Sequence, residues 1–158
     1  MTGIEQRLGE LGLRLPAPMA PPAGQQFPFA LVRVSGAHAY ASGHGPADGS
    51  AYLMQGKVGD TLTVEQGYEA ARLCALSMLA GLKEALGDLD RIAGWVRAVG
   101  YVNCTPGFPH TFRVVNGFSE LILDLWGETG RHARAAPGVA ALPLDIPVVV
   151  EATAELST

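Results

Sequence analysis

Apolar residues recur at steps of three and four between positions 63 and 87. Tyr68, Ala71, Ala75, Met78, Leu79, Leu82 and Leu86 form one stripe along a helix. Thr63-Val-Glu-Gln66 ahead of the stripe has the form of a capping box, and Gly87 behind it supplies a stop. A second stripe of Val115, Phe118, Ile122 and Leu125 predicts a helix from about Phe112 to Trp126, with Gly127 and Gly130 at its exit. A weaker helix is expected over residues 2–12, where Ile4, Leu8 and Leu11 keep the spacing but glycines lower the propensity.

Between these helices the period falls to two. Phe29 to Val34 is expected as a strand, Ser35-Gly36 as a tight turn and Ala37 to Ser42 as the hairpin mate. Gly43 to Asp60, which carries His44-Gly45-Pro46, is expected as a loop with a short extended piece at Ala51 to Met54. Ile92 to Cys104 predicts a long strand, closed by Thr105-Pro106-Gly107, and the last strands fall at 133–136 and 148–156. Pro16, Pro18, Pro21 and Pro22 make an extended arm. The chain therefore divides into an N-terminal helix and Pro-rich arm (1–24) and a folded domain (25–158).

The order β-β-α-β-α-β-β predicts an α+β domain, a mixed sheet with two helices on one face. The other face has no helix left to cover it. Small apolar strands at 97–102 and 148–152 are expected to pack there against copies of the same chain, and closed symmetry is the default for such assembly.

A chain of 158 residues suits one domain, burying roughly 70% of its unfolded surface. The net charge of −4 and the scatter of eleven basic residues argue against nucleic acid as a partner, since phosphate binding needs a basic stripe. No apolar run reaches the ~20 residues a membrane helix needs, and the charged N-terminus lacks a secretory apolar core. Cys74 and Cys104 have no ligand-spaced partners, so Cys74 is expected as a small buried hydrophobe and the setting as cytoplasmic. No histidine pair stands at metal-ligand spacing, and no phosphate-binding glycine loop or serine nucleophile motif occurs.

The candidate chemistry gathers in the stretch GRHARAAPGVAALPLDIPVVVE, from Gly130 to Glu151. It sets Arg134 among Ala133, Ala135 and Ala136, where nothing local neutralises the charge. A guanidinium in such a setting needs an anionic partner, either a structural carboxylate at a subunit interface or the carboxylate of a ligand. His132, two residues earlier, should share its face. His44 beside Ser42 is a candidate for proton transfer, with an exposed loop histidine as the plainer reading.

These residues carry a family resemblance. Ala133-Arg134, then Val139-Ala140-Ala141-Leu142-Pro143 and a closing strand ending in Glu151, are its most specific pieces; Ser42-Gly43, Gly56 and Val115-Asn116 support it. Over about residues 25–156 the chain resembles the YjgF family, also called the reactive intermediate deaminase (RidA) or L-PSP family. It is most similar to a longer subgroup labelled chorismate-mutase-like or putative endoribonuclease.

The resemblance implies a homotrimer with a central barrel and three ligand clefts between subunits. It implies hydrolysis of reactive 2-imino or enamine acids to 2-keto acids and ammonia, without metal or organic cofactor. Arg134 then clamps the carboxylate, while Asn116 and Ser42 line the cleft. Three positions depart from active relatives: Phe29 replaces a tyrosine, Ala136 a cysteine, and Val149 the earlier of two glutamates on the last strand. Glu151, the later one, remains a candidate to activate water, with His44 or backbone groups as the alternatives.

Three functions stay open: imine or enamine deamination, non-catalytic binding or sensing of a small carboxylate, and endoribonuclease activity. The acidic charge weighs against the third.

Overall fold

A computed structural model describes residues 3–158. Its helices are α1 (Ile4–Glu10), α2 (Val64–Leu86) and α3 (Thr111–Trp126). The strands are β1 (Val32–Ser35), β2 (His38–His44), β3 (Ala47–Asp48), β4 (Ala51–Tyr52), β5 (Ile92–Asn103), β6 (Ala133–Ala135), β7 (Gly138–Val139) and β8 (Val148–Leu156). The expected first helix begins at Ile4, and residue 2 lies outside the described residues. Among the described residues, no helix is long and apolar enough to cross a membrane.

The main sheet runs β1-β2-β8-β5-β6, with β7 also on β5. β8 is antiparallel to both neighbours, whereas β6 and β7 run parallel to β5. The sheet is mixed, as expected for this α+β architecture. β5 and β8, the two longest strands, form its centre.

The capping box closes as the sequence indicates. Thr63 Oγ1 accepts from the Gln66 amide at 3.1 Å, and Gln66 Oε1 accepts from the Thr63 amide at 2.9 Å. Gly87, at φ +82°, ends α2. α2 and α3 lie side by side on one face of the sheet. They touch backbone to backbone at Gly117, where a Cβ would stand 2.0 Å from the Tyr68 carbonyl oxygen.

A simple stripe does not account for α2, which is buried nearly all round from Cys74 to Leu82. Leu76 and Ala80, off the stripe, are covered because α1 and the arm behind it lie over the outer side of the helices. Ile4 and Leu8 join the core, Leu13 and Leu15 pack against it, and Leu15 sits beside Leu73 and Leu76. The Ile4 amide donates to Asp90 Oδ1 at 2.7 Å, Arg7 donates to the Leu125 carbonyl, and Lys83 pairs with Glu5.

Three local expectations change. The first strand starts at Val32, not Phe29, so the turn is Gly36-Ala37 and Phe29 lies outside the sheet, half exposed and stacked on Phe27. His44 belongs to a strand instead of a loop. The uncovered sheet face is also less apolar than expected. Arg33, Tyr40, Thr153 and Arg97 stand in register across β1, β2, β8 and β5, with Glu151 in the groove of about 430 Å³ beside them.

The helix contact is directly testable. Gly117→Ala should lower the unfolding free energy in urea by about 2 kcal/mol, because overpacking against immobile backbone outweighs the ~1 kcal/mol gain in helix propensity. Gly9 in α1 is the control, since nothing lies within 4 Å of the point where its Cβ would stand. Gly9→Ala should raise stability by about 0.5–1 kcal/mol.

Candidate functional site

Arg134 sits in β6 opposite Ala98, a fully buried residue of the helix-covered face. Its side chain therefore turns toward α3. Nη1 donates to Asn116 Oδ1 at 2.8 Å and to Ser119 Oγ at 3.2 Å, and Nη2 donates to the Phe112 carbonyl at 3.3 Å. All three acceptors are neutral. Among the described residues no carboxylate lies within ion-pair distance of this guanidinium. Partial burial pulls its pKa downward, yet a guanidinium stays charged at any working pH. Of its five N–H donors three are engaged, which leaves the Nε–H and one Nη2–H. Those two donors remain for an outside acceptor such as a carboxylate.

His132 shares this face, as its spacing suggests. Its Nδ1 donates to the Gly130 carbonyl at 2.8 Å, so Nε2 is left as an acceptor for the Ser119 hydroxyl at 2.9 Å. Ser119 thus gives its proton to His132 and offers a lone pair to Arg134. The result is a fixed line from Gly130 through His132 and Ser119 to the guanidinium. Burial is the main cause that lowers the His132 pKa, the nearby Arg134 charge adding to it.

The remaining expected residues stand elsewhere. Glu151 pairs with Val99 and faces the uncovered side of the sheet, where its Oε1 accepts from Tyr101 Oη at 2.8 Å. That bond raises the tyrosine's pKa. Val149, two residues earlier, shares this side beside Tyr101. Ala136 packs against the core. Arg134 and Asn116 are thus brought together, whereas Glu151, Val149 and Ser42 form a second group on the opposite face.

A β-bulge builds that second group. From Ala41 to His44, β2 takes three steps while β8 takes two, from Ala152 to Val150. Ala41 and His44 can then both face the helices, and Ser42-Gly43 stand unpaired against β8. Ser42 Oγ donates to the Ala30 carbonyl at 2.6 Å, tying the bulge to the incoming chain. Gly43 is required by a close approach, since a Cβ there would lie 2.8 Å from Val149 Cγ1.

His44 is fully buried, which corrects the picture of an exposed loop histidine. Its Nδ1 donates to the Ser42 carbonyl at 2.6 Å, leaving Nε2 as a lone pair with no donor in reach among the described residues. Gly81 makes room for the ring, because a Cβ there would come within 3.1 Å of Nε2. Burial holds its pKa below the ordinary value. Closed off from solvent, the ring works as a brace for the bulge.

Sequence reasoning did not single out Ser119, the Phe112 carbonyl or Tyr101. Ser119 lies three residues after Asn116, so helical spacing puts both on one face and offers the signal that finds it. The backbone oxygen leaves no trace in residue type. Tyr101 shares its strand face with Val99, the partner of Glu151, but that requires the β5–β8 register.

The histidine arrangement sets a pH dependence. A lowered folded-state pKa means the unfolded chain binds more protons, so stability is complete above the unfolded imidazole value of ~6.5 and falls as pH drops below it. His44 and His132 both act in this direction. His44→Asn keeps an amide N–H where Nδ1 stood but cannot titrate. Melting temperature measured from pH 8 to pH 5 should fall less steeply in this variant than in the wild type.

Known proteins share this fold. The family model described as "YjgF/chorismate_mutase-like, putative endoribonuclease" matches residues 5–156. The chain is 41% identical over 155 residues to Protein TCP17 of Trypanosoma cruzi, covering 98% of this chain and 94% of that protein. A crystal structure of Atu1372 from Agrobacterium tumefaciens, described as of unknown function, superposes with TM-score 0.87 at 38% identity, covering 98% of this chain and 92% of the other. A structure described as a putative endoribonuclease from Shewanella oneidensis superposes with TM-score 0.87 at 34% identity, covering 98% and 100%. With a matching fold and a matching family model over nearly the whole length, this chain belongs to the YjgF/chorismate-mutase-like family.

Proposed function

We propose that this protein binds small carboxylates on Arg134 in clefts completed by a second copy of the chain, and there hydrolyses reactive 2-imino or enamine acids to 2-keto acids and ammonia. One observation carries the reading: the Arg134 charge is held in place by three neutral oxygens, with two N–H donors left over. Among the described residues no carboxylate of the same chain pairs with it.

The two-faced arrangement supports assembly. Arg134 and Glu151 lie on opposite faces of one sheet, so a ligand held by the first meets the second only if Glu151 comes from another copy. β6 lies at the sheet edge, with β5 on one side only, so Arg134 is placed for such a contact. A closed homotrimer is the assembly we propose. Hydrolysis adds water across the C=N bond and expels ammonia as the carbinolamine collapses to the ketone. Arg134 orients the substrate through its carboxylate, and Glu151, steadied by Tyr101, takes the proton from water.

Val149 favours a second reading. It puts an isopropyl group where a further carboxylate would assist, which suits a cleft that binds a carboxylate with an apolar tail and performs no chemistry. The net charge of −4 leaves RNA cleavage as the least supported activity.

Two measurements separate these readings. Calorimetry with 2-oxobutanoate should show binding that falls at least ~30-fold in Arg134→Ala, the effect of removing one side of a desolvated charge pair worth ~2 kcal/mol or more. Undiminished affinity in that variant would remove Arg134 from the site. In the second, 2-iminobutanoate is generated in situ from threonine by a dehydratase. The wild-type protein should accelerate 2-oxobutanoate release, and Arg134→Ala and Glu151→Gln should not. Binding without acceleration would leave the non-catalytic reading.

A further inference from the structure

A second cation is presented in the same manner as Arg134, at a place outside the site described above. Lys57 Nζ donates to Asn103 Oδ1 and to the Ala140 carbonyl, each at 2.6 Å. Asn103 is fully buried and has no freedom to turn, because its Nδ2 donates to Asp145 Oδ1 at 3.1 Å and to the Ile146 carbonyl at 3.3 Å. Both neighbours belong to a turn whose Leu144 and Asp145 have φ of +56°, a conformation that non-glycine residues rarely adopt. The ammonium is thus aimed by a locked asparagine, and one of its three N–H groups stays free.

That ammonium borders a cavity of about 560 Å³ between the β5–α3 connection and β7. Phe108, Pro106 and Val139 supply apolar walls, Thr105 a hydroxyl and Cys104 a thiol; no acidic residue lines the space. Among the described residues no carboxylate lies within 4.0 Å of Lys57. Gly138 keeps the cavity open toward the thiol, since a Cβ there would stand 2.8 Å from Cys104 Sγ. Arg134 is not among the lining residues.

We propose that this cavity is a second binding site, for a small monocarboxylate with an apolar or aromatic body. The carboxylate takes the free Nζ–H of Lys57, and the body lies against Phe108, Pro106 and Val139. Asp145 lies behind Asn103 and outside the cavity lining, so the free Nζ–H faces a space in which no acidic side chain competes for it. The apolar walls select against inorganic anions, which gain nothing from them.

Cys104 provides an internal reporter. It is 8% exposed, whereas Cys74 is fully buried with its thiol pushed well above the usual range and hydrogen-bonded to the Val148 carbonyl. Alkylation of the native full-length protein should therefore report on Cys104, the thiolate sulfur displacing iodide. The ratio of the iodoacetate rate to the rate with neutral iodoacetamide should fall about tenfold in Lys57→Met, the lower end of gains from a charge focused in a cleft. Benzoate should slow the reaction in the wild type, and neutral benzamide should not.

Calorimetry covers the case in which the thiol reacts too slowly to follow. In an Arg134→Ala background, which silences the first site, benzoate binding should persist. It should then be lost on adding Lys57→Met or the cavity-filling Val139→Trp. A rate ratio unchanged by Lys57→Met, equal protection by benzoate and benzamide, or no benzoate binding in the Arg134→Ala background would overturn the proposal. None of these results bears on whether Arg134 itself binds a carboxylate.

Discussion

The pairing of β5 with β8 is the constraint on which the remaining arrangement depends. Past the two register shifts that end at Arg97, side chains alternate regularly, so fixing one residue of that part of the ladder assigns the others to a face. Ala98 opposite Ala152 sets the helix-covered side, and Val99 opposite Glu151 the uncovered side. β6 joins in parallel with Arg134 beside Ala98, which commits the arginine to α3. The same parity sends Glu151 away from it. The placement of both groups therefore follows from alternation on two strands and needs no unusual geometry in either.

Both fixed cations show how a protein can aim a charge without a direct ion pair. A guanidinium or ammonium taken out of water needs its hydration replaced, and a buried carboxylate would do so at the expense of ligand affinity. Asn116, Ser119 and a main-chain carbonyl replace water around Arg134, and Asn103 with another carbonyl does so around Lys57. These dipoles orient the donors and leave the net charge in place. The arrangement is pre-organised, because the asparagines are themselves seated on a helix and at a strand end.

Much of this frame is legible in the sequence. The capping box at Thr63, the stop at Gly87 and the stripe on α3 depend on neighbours a few residues away, and they appear where those neighbours place them. The resemblance centred on Ala133-Arg134 and Leu142-Pro143 leads to the family. Contacts between distant segments are less readable. That α1 and Leu15 cover Leu76 follows from a chain path, not from spacing. That His44 lies in the core follows from one extra residue in β2, which a regular period-two reading cannot detect. Lys57 in a glycine-rich loop looks like any solvated lysine until Asn103, 46 positions away, is seen to accept from it.

The bulge at Ser42-Gly43 also bears on how this chain can vary. Serine and glycine at the end of a hairpin strand are residues usually associated with segments that lengthen and shorten freely. Here the count itself carries information, because the extra residue lets Ala41 and His44 face the same side. Losing one residue would restore regular alternation, turn the imidazole outward and drive the following Gly45-Pro46 out of step with Ile146 and Tyr52. Drift in length is therefore closed to the segment, and drift by substitution is confined to positions other than Gly43, where Val149 leaves no room for a Cβ.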